Sequence, residues 1–261
     1  MAVHDYDYVT NAQLEDYYQQ VVSLTSPNPL PIKFTEICCA TTAGNGPAVF
    51  GAQYDPTMTN ALIVARYVWQ FLTIAQSPSF DWWTAAATLP CSPTVDGPQC
   101  ATAINETAGY NSGLVYYDGN YNETGNYNIY YTKRAFMMKQ FAYFHRPGSV
   151  RYDVSESQLP FGVTAIASKN SEGNGKGKRG GGETWAVLFM NNQTTTIDIA
   201  LSPPEKGLEL ARIVETTNEV DFGDAALPPS MPASGEVGWT LPAESMVTFQ
   251  FVRGKGMGGS G

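Results

Sequence analysis

The chain has 261 residues, of which 43% are hydrophobic and only 15% are charged. This supply of apolar side chains is typical of a folded protein and excludes disorder as its main state. The net charge of −9 argues against nucleic acid as a partner, because nucleic-acid-binding surfaces are basic. No run of about 18 consecutive apolar residues occurs, so no membrane-spanning helix is expected.

The signals for the cellular compartment conflict. The four cysteines lack the spacing of zinc ligands and only two histidines are present, so neither a metal site nor a cofactor is expected. Three N-glycosylation sequons favour secretion; they begin at Asn105, Asn122 and Asn192. Against this, the residues after Met1 lack the charged and apolar regions of a signal peptide. We expect either a cytosolic protein or a chain that lacks its natural start.

The first 148 residues predict three strand–helix pairs in succession. A short strand over 2–9 precedes a helix, whose start is marked by a capping box of Thr10 and Gln13. A second strand over 30–39 carries Glu36 near its C-terminal end, and a Gly/Pro-rich loop leads to a long apolar helix over 58–76.

A third strand is predicted over 80–88, followed by a turn-rich loop over 89–128 and a helix capped by Thr132. Alternation of strands and helices predicts a parallel sheet with helices packed on it. Cys91 and Cys100 lie close together in the turn-rich loop, and we expect them to form a disulfide in an oxidising compartment. Adjacent Cys38 and Cys39 should point to opposite sides of their strand and not bridge each other.

From residue 149 to 253 the pattern changes to short alternating runs separated by turns, which predicts an antiparallel β-sandwich. The side chains expected to face inward are Trp185, Val187, Phe189, Ile197, Ile199, Phe249 and Phe251. The segment 173–182 carries Lys176, Lys178 and Arg179; a solvated hairpin tip is favoured over an anion site. Residues 254–261 are expected to be a flexible tail.

Candidate functional residues follow the three N-terminal strands. The first strand ends at His4, Asp5, Tyr6 and Asp7, the second carries Glu36, and the third carries Trp82 and Trp83. Active residues of parallel βα folds gather at such strand ends. A carboxylate with a His/Tyr pair and a tryptophan is a set that can cleave sugars, because an indole stacks on a pyranose ring. The alternatives are a solvated rim glutamate and tryptophans that belong to the core.

Several segments resemble glycoside hydrolase family 30, in its fungal endo-β-1,6-galactanase-like branch. Residues 34–39 (FTEICC) look like the family's nucleophile strand. The segments 113–118 (GLVYYD) and 140–151 (QFAYFHRPGSVR), with Lys133 and Arg134 between them, resemble the last barrel helix and its exit into the sandwich. The runs 163–170 and 185–192 resemble sandwich strands, so the resemblance covers nearly the whole chain.

This resemblance implies a (β/α)8 barrel with an attached β-sandwich and a retaining mechanism. By resemblance, Glu36 is the catalytic nucleophile on strand seven, His4 and Tyr6 bind substrate on strand six, and Trp82 or Trp83 is the aromatic platform on strand eight. A complete barrel needs about 250 residues. Residues 1–148 therefore correspond to strands six to eight, and the family's acid/base glutamate on strand four is absent. The other nearby carboxylates match no family position; they are Asp5, Asp7, Glu106, Asp118 and Glu123.

The expected protein is thus a C-terminal fragment, inactive by itself, of an extracellular enzyme that hydrolyses β-linked polysaccharide. β-1,6-Galactan is the family-level substrate, with glucan and xylan as rivals. One alternative is a carbohydrate-binding protein without catalysis, and another is a structural partner that completes its barrel with a second chain. Unpaired barrel edges would favour self-association.

Overall fold

The computed structural model describes residues 1–5, 9–37, 53–105, 112–155, 158–170, 183–228 and 235–253. Tyr6, Asp7, Cys38, Cys39, Glu106 and the basic cluster of residues 176, 178 and 179 lie outside these ranges, as does the expected tail. The chain forms two compact units, Met1–Phe136 and Met137–Gly261. The sequence-based boundary at residue 148 lies later, because Phe144 already belongs to the core of the second unit, beside Ala186 and Val214.

The first unit contains the parallel sheet that the strand–helix alternation predicts. Its strands are β1 (Ala2–Asp5), β2 (Lys33–Ile37) and β3 (Phe80–Trp82), paired in the order β1-β2-β3. Helix α1 (Asn11–Leu24) connects the first two strands, and α2 (Met58–Thr73) precedes the third. Both neighbouring pairs of strands are parallel.

Local sequence signals account for the starts of these helices. The capping box of α1 is confirmed, since the Thr10 hydroxyl accepts from the backbone N–H of Gln13 and the Gln13 side chain accepts from that of Thr10. Thr57 caps α2. Phe71 of α2 stacks on Phe34 of β2 with 3.8 Å between ring centroids, which joins the helix to the sheet.

The segment that follows β3 corrects two expectations. A single strand over 80–88 is wrong, because the chain leaves the parallel sheet at Trp83 and forms a separate strand, β4 (Ala86–Thr88). The expected loop contains further elements: α3 (Pro93–Asp96), a 3₁₀ helix (Pro98–Ala101), β5 (Val115–Tyr117) and α4 (Tyr121–Thr124). Strands β4 and β5, together with β6 (Ile129–Tyr131), form a second small sheet in the order β4-β5-β6.

A disulfide joins Cys91 to Cys100 across the short helices of this segment, with the two Cα atoms 6.1 Å apart. This separation lies in the normal range for a disulfide. Helix α5 (Lys133–Phe144) follows β6. The Thr132 hydroxyl, expected to cap this helix, donates to the carbonyl of Leu114 at 2.8 Å.

The second unit is built on a six-stranded antiparallel sheet in the order β12-β11-β14-β9-β8-β7. These strands are β7 (Val150–Tyr152), β8 (Val163–Asn170), β9 (Thr184–Asn191), β11 (Leu208–Thr216), β12 (Gly223–Ala225) and β14 (Ser245–Arg253). A two-stranded sheet of β10 (Ile197–Leu201) and β13 (Val237–Leu241) completes it. Neither β12 nor β13 was expected from the alternation.

The inward-facing residues are as predicted on β9 and β14, where the five aromatic and valine side chains are at most 5% exposed. Ile197 and Ile199 of β10 are partly buried and pack against the same core. The opposite face of β9 is also buried, however, so the alternation of apolar and polar residues fails there. Phe144 of α5 covers that face beside Ala186 and Val214.

Candidate functional site

An extra residue in β2 decides which way Glu36 points. Val3 of β1 pairs with Phe34, but the next residue, His4, pairs with Glu36, so Thr35 is inserted as a bulge. Consecutive strand residues point to opposite faces of a sheet. Val3 and Phe34 both belong to the hydrophobic core of the unit. The bulge therefore turns Glu36 to the other face, together with His4.

His4 and Glu36 lie side by side on that face. The His4 Nδ1 atom is 3.9 Å from Oε2 of Glu36, and the glutamate side chain is 27% exposed. The distance exceeds that of a hydrogen bond. The pair thus presents an accessible carboxylate next to a group that can orient it.

Trp82, the last residue of β3, and Trp83, which follows it, have different surroundings. Trp82 pairs with Ile37 in the sheet and packs against the hydrophobic core. Its indole Nε1 donates to the carbonyl of Ser112 at 2.7 Å. Trp83 is 57% exposed. The structure therefore leaves Trp83, rather than Trp82, available to stack on a ligand.

One carboxylate on this face was not predicted from the sequence. Asp81 lies in β3 between Phe80 and Trp82, which both pack on the core. By alternation its side chain points to the face that carries Glu36, and it is exposed. The signal in the sequence was an aspartate flanked by two aromatic residues in a short strand, and both of these are partly buried.

Of the other carboxylates, Asp118 is unsuited to act as an acid. It is fully buried and accepts from the Ser92 hydroxyl at 2.7 Å and from the Asn120 backbone at 2.9 Å. Burial opposes its ionisation, but these bonds and those from Asn126 and Thr124 outweigh burial and hold its pKa below the usual value. Glu123 is an exposed residue of α4, and the side chain of Asp5 is outside the described part of the chain.

The predicted glycosylation sites differ in exposure. Asn122 and Asn192 are exposed, whereas Asn105 is half-buried and its backbone pairs with that of Tyr54. Over the described ranges, no group of three or more His, Cys, Asp or Glu side chains could hold a metal ion. In the same ranges, no helix has both the length and the apolar composition needed to cross a bilayer.

Comparisons with known proteins reveal similarity at the level of fold. No protein-family model matches the sequence, and no curated protein sequence matches it. A family 30 endoxylanase from Clostridium papyrosolvens has a TM-score of 0.59 and 16% identity; the match covers 96% of this chain and 48% of that one. The family 30 xylanase C catalytic domain from Talaromyces cellulolyticus has a TM-score of 0.58 and 19% identity, with coverages of 95% and 52%.

An endo-β1,6-glucanase is also similar, with a TM-score of 0.53 and 14% identity over 96% of this chain and 40% of the glucanase. This chain spans about half the length, or less, of these three structures. The expected mixed α/β and antiparallel β architecture thus agrees with both the structure and its neighbours. The comparisons show that the chain shares its fold with part of these glycoside hydrolase structures.

Proposed function

We propose that the chain carries part of the catalytic face of a retaining β-glycoside hydrolase of family 30 type, with Glu36 as the nucleophile. The observation that carries the proposal is the bulge at Thr35, which turns Glu36 away from the core and beside His4. Bulges of this kind occur next to active sites, where they redirect a side chain. The shared fold with family 30 xylanases supports the same interpretation.

Each residue of the site has a chemical role in this proposal. The Glu36 carboxylate attacks the anomeric carbon as the glycosidic C–O bond breaks, and the leaving oxygen takes a proton from the general acid. Water then hydrolyses the glycosyl–enzyme ester and frees Glu36. His4 Nδ1 orients the carboxylate, and Tyr6 is proposed from the family resemblance alone to bind the substrate. Trp83 stacks on the apolar face of a pyranose ring, and Trp82 fixes the strand end that carries it.

The general acid of this reaction is proposed to lie outside residues 1–261. Retaining hydrolysis needs a second carboxyl group about 5–5.5 Å from the nucleophile. By the family resemblance, β1, β2 and β3 correspond to strands six, seven and eight of a barrel, and the acid/base glutamate belongs to strand four. The coverage of about half of the similar structures supports this partial-barrel proposal. The remaining strand–helix pairs of such a barrel are likewise proposed to lie outside residues 1–261.

The proposed substrate is a neutral β-linked polysaccharide, with β-1,6-galactan as the first choice. Structural neighbours include xylanases and an endo-β1,6-glucanase, which keeps xylan and β-1,6-glucan as rivals. The disulfide between Cys91 and Cys100 supports an extracellular location, because disulfides persist in oxidising compartments.

A carbohydrate-binding protein without catalysis is the second candidate, favoured by the exposure of Trp83. A binding module needs the aromatic face but no carboxylate, so the placement of Glu36 argues for the hydrolase. The two candidates share a ligand class and differ in the role of Glu36.

The test is hydrolysis of β-1,6-galactan, β-1,6-glucan, xylan and a panel of aryl β-glycosides. We expect little turnover by the 261-residue chain and clear turnover by a protein extended upstream of Met1. Glu36→Gln in the extended protein should abolish turnover and leave its melting temperature unchanged, since the amide and carboxylate are nearly isosteric. Turnover that survives Glu36→Gln would show that Glu36 is not the nucleophile.

Turnover by the 261-residue chain itself that disappears on Asp81→Asn would refute the partial-barrel proposal. It would show that the second carboxyl group lies on β3. Binding of oligosaccharide with no turnover in either protein, unaffected by Glu36→Gln, would favour the binding module instead.

A further inference from the structure

Arg134, the second residue of α5, is fully buried. Arginine is almost never fully buried unless its guanidinium is paired. Its Nη1 atom donates to the carbonyl of Asp55 at 2.7 Å and to the Oδ1 atom of Asn60 at 2.5 Å. Its Nη2 atom donates to the carbonyl of Gly113 at 2.8 Å, with the hydroxyl of Tyr116 at 3.4 Å. The guanidinium thus bridges the start of α2 and the segment before β5.

Residues 112–114, which contain the Arg134 acceptor Gly113, also bind the C-terminal end of β3. The Ser112 carbonyl, next to Gly113, accepts from the Trp82 indole at 2.7 Å and from the Thr84 backbone N–H at 3.0 Å. The N–H of Leu114 donates to the Thr84 carbonyl at 3.1 Å. Residues 112–114 therefore form hydrogen bonds with Trp82 and Thr84, the residues on both sides of Trp83.

We propose that Arg134 is a positioning residue for Trp83: its guanidinium fixes residues 112–114, and these fix Trp82 and Thr84 on either side of the exposed indole. The consequence for sugar binding rests on the function proposed above. Arg134 itself is buried and is not proposed to contact the ligand.

The chemistry of the guanidinium explains why arginine occupies this place. Its planar fork can donate in two directions at fixed angles, whereas a lysine ammonium is a single point charge on a flexible stem. Burial lowers the pKa of Arg134, and the nearby Tyr116, Asp55 and Tyr54 oppose this effect by stabilising its charge. Burial raises the pKa of Tyr116, whose hydroxyl lies 3.4 Å from the Arg134 Nη2 atom.

The test compares the 261-residue chain with its Arg134→Lys variant. Lysine keeps the positive charge but lacks the planar guanidinium that donates in two directions. The first readout is acrylamide quenching of tryptophan fluorescence, repeated in a Trp82→Phe background to isolate the signal of Trp82. We expect higher quenching of Trp82 in Arg134→Lys, because its indole loses a fixed acceptor. The second readout is binding of β-1,6-linked galacto-oligosaccharide by calorimetry, expected to weaken about fivefold, as for one lost hydrogen bond.

Gln140→Leu is the matched control for general destabilisation. Gln140 is fully buried and hydrogen-bonded in the second unit, so its loss should lower the melting temperature without changing the quenching of Trp82. If Arg134→Lys lowers the melting temperature and also leaves Trp82 quenching unchanged, Arg134 is merely structural and the proposal is wrong.

Tyr116→Phe keeps the proposal falsifiable if Arg134→Lys does not fold. Its hydroxyl accepts from the Gly113 N–H at 3.0 Å, so the variant loosens the same segment while the arginine remains. Raised quenching of Trp82 supports the positioning role, and unchanged quenching overturns it. Raised quenching with no oligosaccharide binding by the 261-residue wild type or its variants would support the role of Arg134, and the proposed function is decided separately by the turnover of the extended protein and its Glu36→Gln variant.

Discussion

Trp82 and Trp83 are consecutive residues, yet Trp82 packs on the core with its indole bonded to Ser112, whereas Trp83 is 57% exposed. β3 ends at Trp82 and the chain leaves the sheet at Trp83, so the two neighbouring tryptophans have different surroundings. Because only Trp83 is exposed, substitution of each tryptophan in turn tests which of them stacks on the sugar.

Replacement of Trp83 by alanine should weaken oligosaccharide binding with little effect on stability. The exposed indole contributes little to the core, but its stacking on a sugar ring is worth about 1 kcal/mol or more, or about fivefold in affinity. Trp82→Ala should instead lower the melting temperature, because it removes a packed side chain. Calorimetric titration and thermal unfolding separate the two effects. Equal affinity of the wild-type and Trp83→Ala chains would exclude Trp83 as the platform.

Removal of the disulfide should destabilise the first unit. Cys91 and Cys100 are nine residues apart, and closing a loop of this size stabilises a fold by about 2–3 kcal/mol. A Cys91→Ser/Cys100→Ser double variant should therefore melt at a lower temperature than the oxidised wild type. Dithiothreitol should lower the melting temperature of the wild type towards that of the variant. If dithiothreitol lowers the melting temperature of the double variant by the same amount, its effect arises from other cysteines.

His145 should make stability depend on pH between about 4 and about 6.5. Both of its ring nitrogens are shielded from solvent and have no hydrogen-bond partner in the described part of the chain. Burial lowers the pKa of His145 from 6.5 to about 4. As pH falls through this window, the unfolded chain takes up a proton that the folded chain does not, so stability is lost.

The loss from His145 amounts to about 3 kcal/mol on passing from pH 7 to below pH 4. Urea unfolding of the second unit, followed by Trp185 and Trp239 fluorescence, measures it at intervals across the window. His145→Phe should flatten the pH dependence relative to the wild type. Parallel curves for the two proteins would show that His145 is not the group responsible.

Gln140 should be a main contributor to the stability of the second unit. Its Nε2 atom donates to the Thr248 hydroxyl at 2.8 Å and to the Val214 carbonyl at 3.2 Å, and its Oε1 atom accepts from Thr216 at 2.6 Å. Gln140→Leu leaves these buried groups unsatisfied, at a cost of about 2–4 kcal/mol. Urea unfolding gives the difference. A change below about 0.5 kcal/mol, the usual effect of a surface substitution, would contradict this role.

Much of the secondary structure was predictable because its signals are local. The capping box of Thr10 and Gln13 acts over three residues, and the strand–helix alternation predicted the parallel β1-β2-β3 sheet. The apolar alternation of β9 and β14 predicted their inward faces, since burial of one face sets the register. The sequence by itself also indicated the three strands that carry the candidate site residues.

Tertiary structure alone decided how those residues are arranged. The bulge at Thr35 depends on pairing with β1, about thirty positions away, and it reverses the side of the sheet that Glu36 faces. The position of the Trp82 indole depends on its hydrogen bond to the carbonyl of Ser112. The neighbouring Gly113 is in turn held by a hydrogen bond from Arg134. No local pattern encodes such pairings, because they form only when distant segments meet and satisfy each other's buried polar groups.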